Sequence, residues 1–223
     1  LYAFFATVIN PGDEVIIPTP CWVSYVDQVK MVEGVPVTFQ TTEANHFKAT
    51  VEQLEAARTE KTKVVLLNSP SNPTGMIYSK EELQSIGDWA VEHDILILAD
   101  DIYGRLVYNG NTFTPISSLS DAIRKQTIVI NGVSKTYAMT GWRLGYVLAN
   151  EYLVKMMKKI HQYVIMSAPT CAQYGAIEAM RHCDEEIEKM RQAYLARRNF
   201  LVKTFNEMGL KTFTPQGAFY VFP

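Results

Sequence analysis

The sequence predicts a three-layer α/β/α fold in which a mostly parallel sheet carries helices on both faces. Three observations predict it. Short, uninterrupted apolar runs alternate with longer amphipathic stretches, as in chains that return by helices to a parallel sheet. Runs such as Ile95-Leu96-Ile97-Leu98-Ala99 are apolar at successive positions, which suits strands covered on both faces. Polar clusters follow the ends of these runs, and in open α/β sheets ligands bind beyond the carboxyl ends of the strands.

The elements follow in order. Residues 1–9 read as the end of a helix, closed by the turn Asn10-Pro11-Gly12-Asp13. Residues 14–17 form a short strand, 22–32 a helix, 35–39 a strand and 51–58 a helix. Residues 63–67 are a buried strand. Ser79 opens the next helix with Glu82 three residues on, the signature of a capping box, and that helix runs to about His93. Strands follow at 95–99, 127–130 and 144–148. From Glu151 to about Met208 the chain reads as mostly helical, with a break near Ser167-Ala168-Pro169. Gly209 suits a helix C-terminus and marks a domain boundary. The last residues, Val221-Phe222-Pro223, read as a strand. Neither end looks like a natural terminus, so the chain reads as an excised fragment.

Composition narrows the classes of function. Of 223 residues, 48% are hydrophobic and 20% charged, enough apolar material for a sizeable core. The formal net charge of -2 with no basic run argues against nucleic-acid or membrane-surface partners. No run of about 18 apolar residues predicts a membrane span, and the opening lacks the basic leader of a signal peptide. Cys21, Cys171 and Cys183 are scattered without metal-ligand spacing, so no metal is expected and free thiols in a reducing cytoplasm are.

Chemistry concentrates at three strand ends. Lys135 lies just past a strand, where a lysine amine held unprotonated by its surroundings can form a Schiff base. Asp100 ends another strand, where a carboxylate can pair with a pyridinium nitrogen and keep it protonated. Asn72, in the turn-rich segment 68–75, offers an amide to a phenolate-like oxygen or a substrate carboxylate. Arg143 offers a planar fork that matches phosphate. Trp22 can stack on a flat heteroaromatic ring. Each residue also has a plainer reading: a solvated loop lysine, a turn acid, ordinary turn chemistry, a core tryptophan.

Their order removes the plainer readings. Asn72-Pro73-Thr74-Gly75, then Asp100-x-x-Tyr103, then Ser134-Lys135 with Arg143 eight residues later resembles the class I and II aminotransferases of fold type I. Segments 138–146 and 11–15, with Trp22-Val23-Ser24-Tyr25, look like the bacterial aspartate aminotransferase branch. The likeness covers nearly the whole chain. It implies pyridoxal 5′-phosphate as cofactor, with residues 1–208 as the large cofactor-binding domain and 209–223 as the start of a small one. Lys135 would carry the cofactor as a Schiff base and shuttle the substrate proton, and Asp100 would bind the pyridine nitrogen. Tyr103 and Asn72 would hydrogen-bond the ring oxygen, Arg143 the phosphate, and Trp22 would stack on the ring. Trp22 and Asn72 would also line the substrate side, and Tyr25 would support Asp100. Pro20 and Pro73 match positions where the family often has cis peptides.

The sequence departs from the pattern at Gly132, where many relatives place a phosphate-binding serine three residues before the lysine. The family's upstream phosphate loop and its downstream carboxylate-binding arginine lie outside the chain. The resemblance implies a homodimeric parent that transaminates aspartate or another dicarboxylic amino acid, with the fragment alone inactive. Rival readings are an aromatic or broad-specificity aminotransferase, or the ligand-sensing domain of a transcriptional regulator.

Overall fold

The apolar runs pair into one six-stranded sheet in the computed structural model, which describes residues 1–223. Its strands are β1 (Glu14–Thr19), β2 (Val35–Gln40), β3 (Thr62–Asn68), β4 (Leu96–Asp100), β5 (Thr127–Gly132) and β6 (Gly145–Leu148), in spatial order β2-β1-β3-β4-β5-β6. The first five are parallel, and β6 joins the edge antiparallel to β5. Parallel neighbours require crossover connections, and most of the helices supply them.

Alternation along the strands sorts the core into two layers. Val64, Leu66 and Leu98 face the layer that contains α1 (Tyr2–Val8), α2 (Ser24–Lys30) and α7 (Glu151–Val164). Val65, Leu67 and Ile97 face the opposite layer, with α3 (Val51–Ala57), α4 (Lys80–Glu92) and α5 (Asp121–Gln126). Because both strand faces are buried, the strands read as continuous apolar runs rather than alternating ones. Each such side chain, fully buried, contributes about 1.5–3 kcal/mol through its apolar area.

Local chemistry fixes the helix ends. At α4 the predicted capping box is present: Glu82 N–H donates to Ser79 Oγ at 3.2 Å, and Ser79 N–H donates to Glu82 Oε2 at 2.7 Å. The four-residue α6 (Val133–Thr136) follows β5, and α8 (Thr170–His182) and α9 (Asp184–Glu207) complete the helices. The helix break before Thr170 falls where Ser167-Ala168-Pro169 indicates it, and a second one, at Cys183, divides the long helical region again. Helix α5 was not expected from the pattern; Ser120 caps it, its hydroxyl accepting from Ile123 N–H at 3.2 Å. Gly209 follows α9 at φ +82, the left-handed conformation glycine reaches without penalty.

One reading is corrected. Residues 221–223 form no strand. The segment before them instead runs along the loop after β4, where Tyr108 N–H donates to Gln216 O at 2.9 Å and Ala218 N–H to Leu106 O at 2.8 Å. A single antiparallel bridge joins Val107 to Gly217. These bonds take up the backbone at 216–218, and no strand edge stands beyond them to pair 221–223.

Candidate active site

The carboxyl ends of the parallel strands open into one cleft of about 450 Å³. Trp22, Asn72, Asp100, Tyr103, Lys135 and Arg143 all line it, with Tyr25, Ser134, Thr140 and Tyr220 among the other lining residues. The sheet explains the convergence. From β1 the strand order runs outward to β2 on one side and to β3 on the other, so the loops after β1 and β3 diverge at a switch point. Trp22 follows β1, Asn72 follows β3, Asp100 ends β4 and Lys135 follows β5.

Asp100 is 6% exposed and held from two directions. Tyr25 Oη donates to its Oδ2 at 2.8 Å, as the resemblance implied, and Ile102 N–H reaches its Oδ1 at 3.3 Å. Burial pushes the Asp100 carboxyl above its ordinary value, while these two donors pull it down. A cation beside it would favour the carboxylate further. Tyr25 is itself buried, and its phenol is held well above the ordinary value by burial first and Asp100's charge second. The Trp22 ring meets Tyr25 edge-on, with centroids 5.3 Å apart at 89°, while remaining 37% exposed at the cleft.

Asn68 entered the sequence analysis only as the first residue of the turn-rich segment 68–75. Its side-chain N–H donates to Asp100 O at 2.8 Å, and its Oδ1 accepts from Asn72 N–H at 2.7 Å. It therefore ties the end of β3 to the end of β4 and fixes the start of the Asn72 turn. Its place as the last residue of an apolar strand was the available signal. Thr19-Pro20 and Asn72-Pro73 are cis, as the resemblance indicated, and Ser69-Pro70 is cis as well.

Lys135 sits in α6, half-buried, with Nζ 5.9 Å from the Tyr103 ring centroid and 5.4 Å from that of Phe219. Tyr103 is 3% exposed, and its hydroxyl lies 2.5 Å from that of Tyr220. The Tyr103 phenol is held well above its ordinary value by burial first, while Asn72 acts on it in the opposite sense, and either hydroxyl of the Tyr103–Tyr220 pair can be the donor. Phe219 and Tyr220 were missed from sequence. Their partners in the cleft, Tyr103 and Lys135, lie more than 80 residues upstream, and no local pattern marks them.

Arg143 is exposed at the rim in a left-handed conformation, φ +53, with Nη1 donating to Thr140 O at 2.9 Å. Its remaining guanidinium donors are available to an anion. At Gly132 the departure has a steric basis. A Cβ there would lie 3.0 Å from Gly145 Cα and 3.0 Å from Leu144 O, so a larger residue would fit only if the backbone at the start of β6 gave by a few tenths of an ångström. No group of three or more His, Cys, Asp or Glu side chains forms a metal site, and no helix is long and apolar enough to cross a membrane.

Known proteins place this cleft in context. The family model for aminotransferase class I and II matches residues 1–223. The chain is 62% identical over its whole length to an asparagine–oxo-acid transaminase of Streptococcus mutans, and 47% identical to an aspartate aminotransferase of Bacillus subtilis. It spans 57% of the length of each. Among solved structures, an aromatic aminotransferase from Pyrococcus horikoshii superposes with a TM-score of 0.96 at 39% identity, covering 100% of this chain and 60% of that one. An aspartate aminotransferase from Thermus thermophilus with maleate gives 0.94 at 37% identity, covering 99% of this chain and 57% of that one.

Proposed function

Because the chain belongs to the aminotransferase class I and II family, we propose that it is the cofactor-binding part of an enzyme moving an amino group from an amino acid to a 2-oxo acid with pyridoxal 5′-phosphate. One observation carries this reading: Lys135 and a buried, tyrosine-held Asp100 converge in a single cleft with a stacking face and an exposed guanidinium. A phosphorylated pyridine ring fits this donor set. Asp100 would take its ring nitrogen, Lys135 its aldehyde and Arg143 its phosphate.

When bound, the cofactor supplies an electron sink for the bond being broken at the substrate α-carbon. Lys135 Nζ holds the cofactor and, once released, carries the proton to and from that carbon. Asp100 keeps the ring nitrogen protonated, and Tyr25 keeps Asp100 oriented. Tyr103 and Asn72 donate to the ring oxygen, Arg143 binds the phosphate, and Trp22 covers the ring face. With no side chain at Gly132, phosphate binding leans on Arg143 and on backbone amides.

The substrate we propose is aspartate or its amide. The asparagine and aspartate names of the two relatives support it, as does the Thermus structure with maleate, a four-carbon dicarboxylate. An aromatic amino acid is the second reading, favoured by the Pyrococcus structure. The enzyme names of these relatives weigh against a regulator. We also place the parent in the cytoplasm, where the three free cysteines stay reduced. Residues 1–208 form its large domain and 209–223 open a second one. The parent is a homodimer, and the fragment by itself is inactive.

Lys135→Ala in the full-length protein tests the activity. Transamination falls by at least about 10³-fold, the scale of a lost general base with its covalent anchor. Near-normal turnover contradicts the assignment.

A further inference from the structure

The Tyr103–Tyr220 contact places two phenols against each other at the cleft wall. Their oxygens are 2.5 Å apart, Tyr103 is 3% exposed, and both residues line the same cavity. A phenol has one proton and two acceptor lone pairs. Two phenols in contact share one proton between them, so the other proton is directed elsewhere. The segment carrying Tyr220 is fixed before it reaches Tyr103. Gly217 N–H donates to Gly75 O at 2.8 Å, Ala218 N–H donates to Leu106 O at 2.8 Å, and Tyr108 Oη donates to Ala218 O. Phe219 packs edge-on to Tyr103, with centroids 5.3 Å apart, and faces Lys135 Nζ.

We propose that Tyr220 is a positioning residue: its hydroxyl donates to Tyr103 Oη, so that the Tyr103 proton is aimed into the cleft at the oxygen of the bound pyridine ring. This rests on the cofactor reading above. A donor already accepting a hydrogen bond is polarised into a stronger donor, and a relay of two phenols ending on an anionic oxygen gains from that cooperativity. The relay fixes a direction as well as a distance. Without Tyr220, the Tyr103 proton loses the partner that orients it. The C-terminal segment therefore acts on the cofactor through Tyr103.

The test is Tyr220→Phe in the full-length protein, compared for pyridoxal 5′-phosphate and for its analogue lacking the ring 3-hydroxyl. The variant removes one oxygen and keeps the ring packing. Affinity for the cofactor falls roughly three- to tenfold, the scale of one weakened hydrogen bond, while affinity for the analogue stays unchanged. The pH midpoint of the lysine-bound cofactor's visible absorbance rises by about a few tenths of a unit, because a less well stabilised ring oxygen holds the neighbouring nitrogen's proton more tightly. In a Tyr103→Phe background the second substitution adds nothing. Equal loss for cofactor and analogue, or no change in affinity and midpoint, overturns the role of Tyr220 and leaves the cofactor reading standing. Failure of the unsubstituted protein to bind the cofactor at Lys135 overturns both.

Discussion

Asp100 and Asp101 are adjacent in sequence and meet different surroundings. Asp100 faces the cleft and receives two hydrogen bonds, whereas burial, with Asp100's charge added, pushes the Asp101 carboxyl from 3.8 up to about 7. The folded chain thus binds a proton at Asp101 more tightly than the unfolded chain does. Stability from this group is fully present below about pH 4 and is lost as pH rises toward 7. Asp101→Asn should leave the melting temperature nearly unchanged at pH 4. At pH 8 it should raise it by several degrees, with a ceiling on the order of 4 kcal/mol. Equal melting temperatures for variant and parent at pH 8 would count against this account. At this scale the sequence was informative wherever a polar residue ends an apolar run, as Asp100 does. It was uninformative for Tyr220, whose hydroxyl partner Tyr103 lies 117 residues away.

The turn after β3 is held from two sides. Asn68 fixes its start, and its far end docks on the C-terminal segment, where Gln216 and Gly217 N–H both donate to Gly75 O. Gly75 sits at φ +69, and a Cβ there would lie 2.6 Å from Pro215 Cβ and 2.8 Å from Gly217 O. Gly75→Ala should therefore cost about 1–3 kcal/mol in denaturant unfolding, from left-handed strain and overpacking together. It should also weaken cofactor binding, because the turn carries Asn72 and the displaced segment carries Tyr220. Unchanged stability and unchanged affinity would contradict that docking. The strands and the capped helix α4 were legible because their signals are local: apolar runs, and Ser79 with Glu82. Helix α5, six residues long, gives too short a pattern to register. The course of the C-terminal segment depends on distant backbone partners of residues 216–218, and for that reason the apolar residues 221–223 read wrongly as a strand.

At the scale of the whole molecule, the two-layer core follows from side chains pointing alternately to the two faces of β3 and β4, and the unbroken apolar runs in the sequence show that both faces are buried. The surface around α7 and α8 is different. Tyr163 is 85% exposed, Met166 80% and Tyr174 71%, an apolar group that supports the proposed homodimer. Sedimentation of the full-length protein should give a dimer at micromolar concentration, and the pair Met166→Asp and Tyr174→Asp should shift it toward monomer. A monomeric parent would refute this part of the account. Polar loops from four strands meet in one cleft only because the sheet aligns their ends. For the same reason, motif order along the chain predicted a spatial cluster.

The proposed activity depends above all on Lys135 carrying the cofactor. The most direct measurement is borohydride reduction of the full-length protein with pyridoxal 5′-phosphate, followed by peptide mapping. A single pyridoxyl label on the peptide containing Lys135, absent in Lys135→Ala, is the predicted result. Bound cofactor with the label on another lysine, or with no label at all, would contradict it.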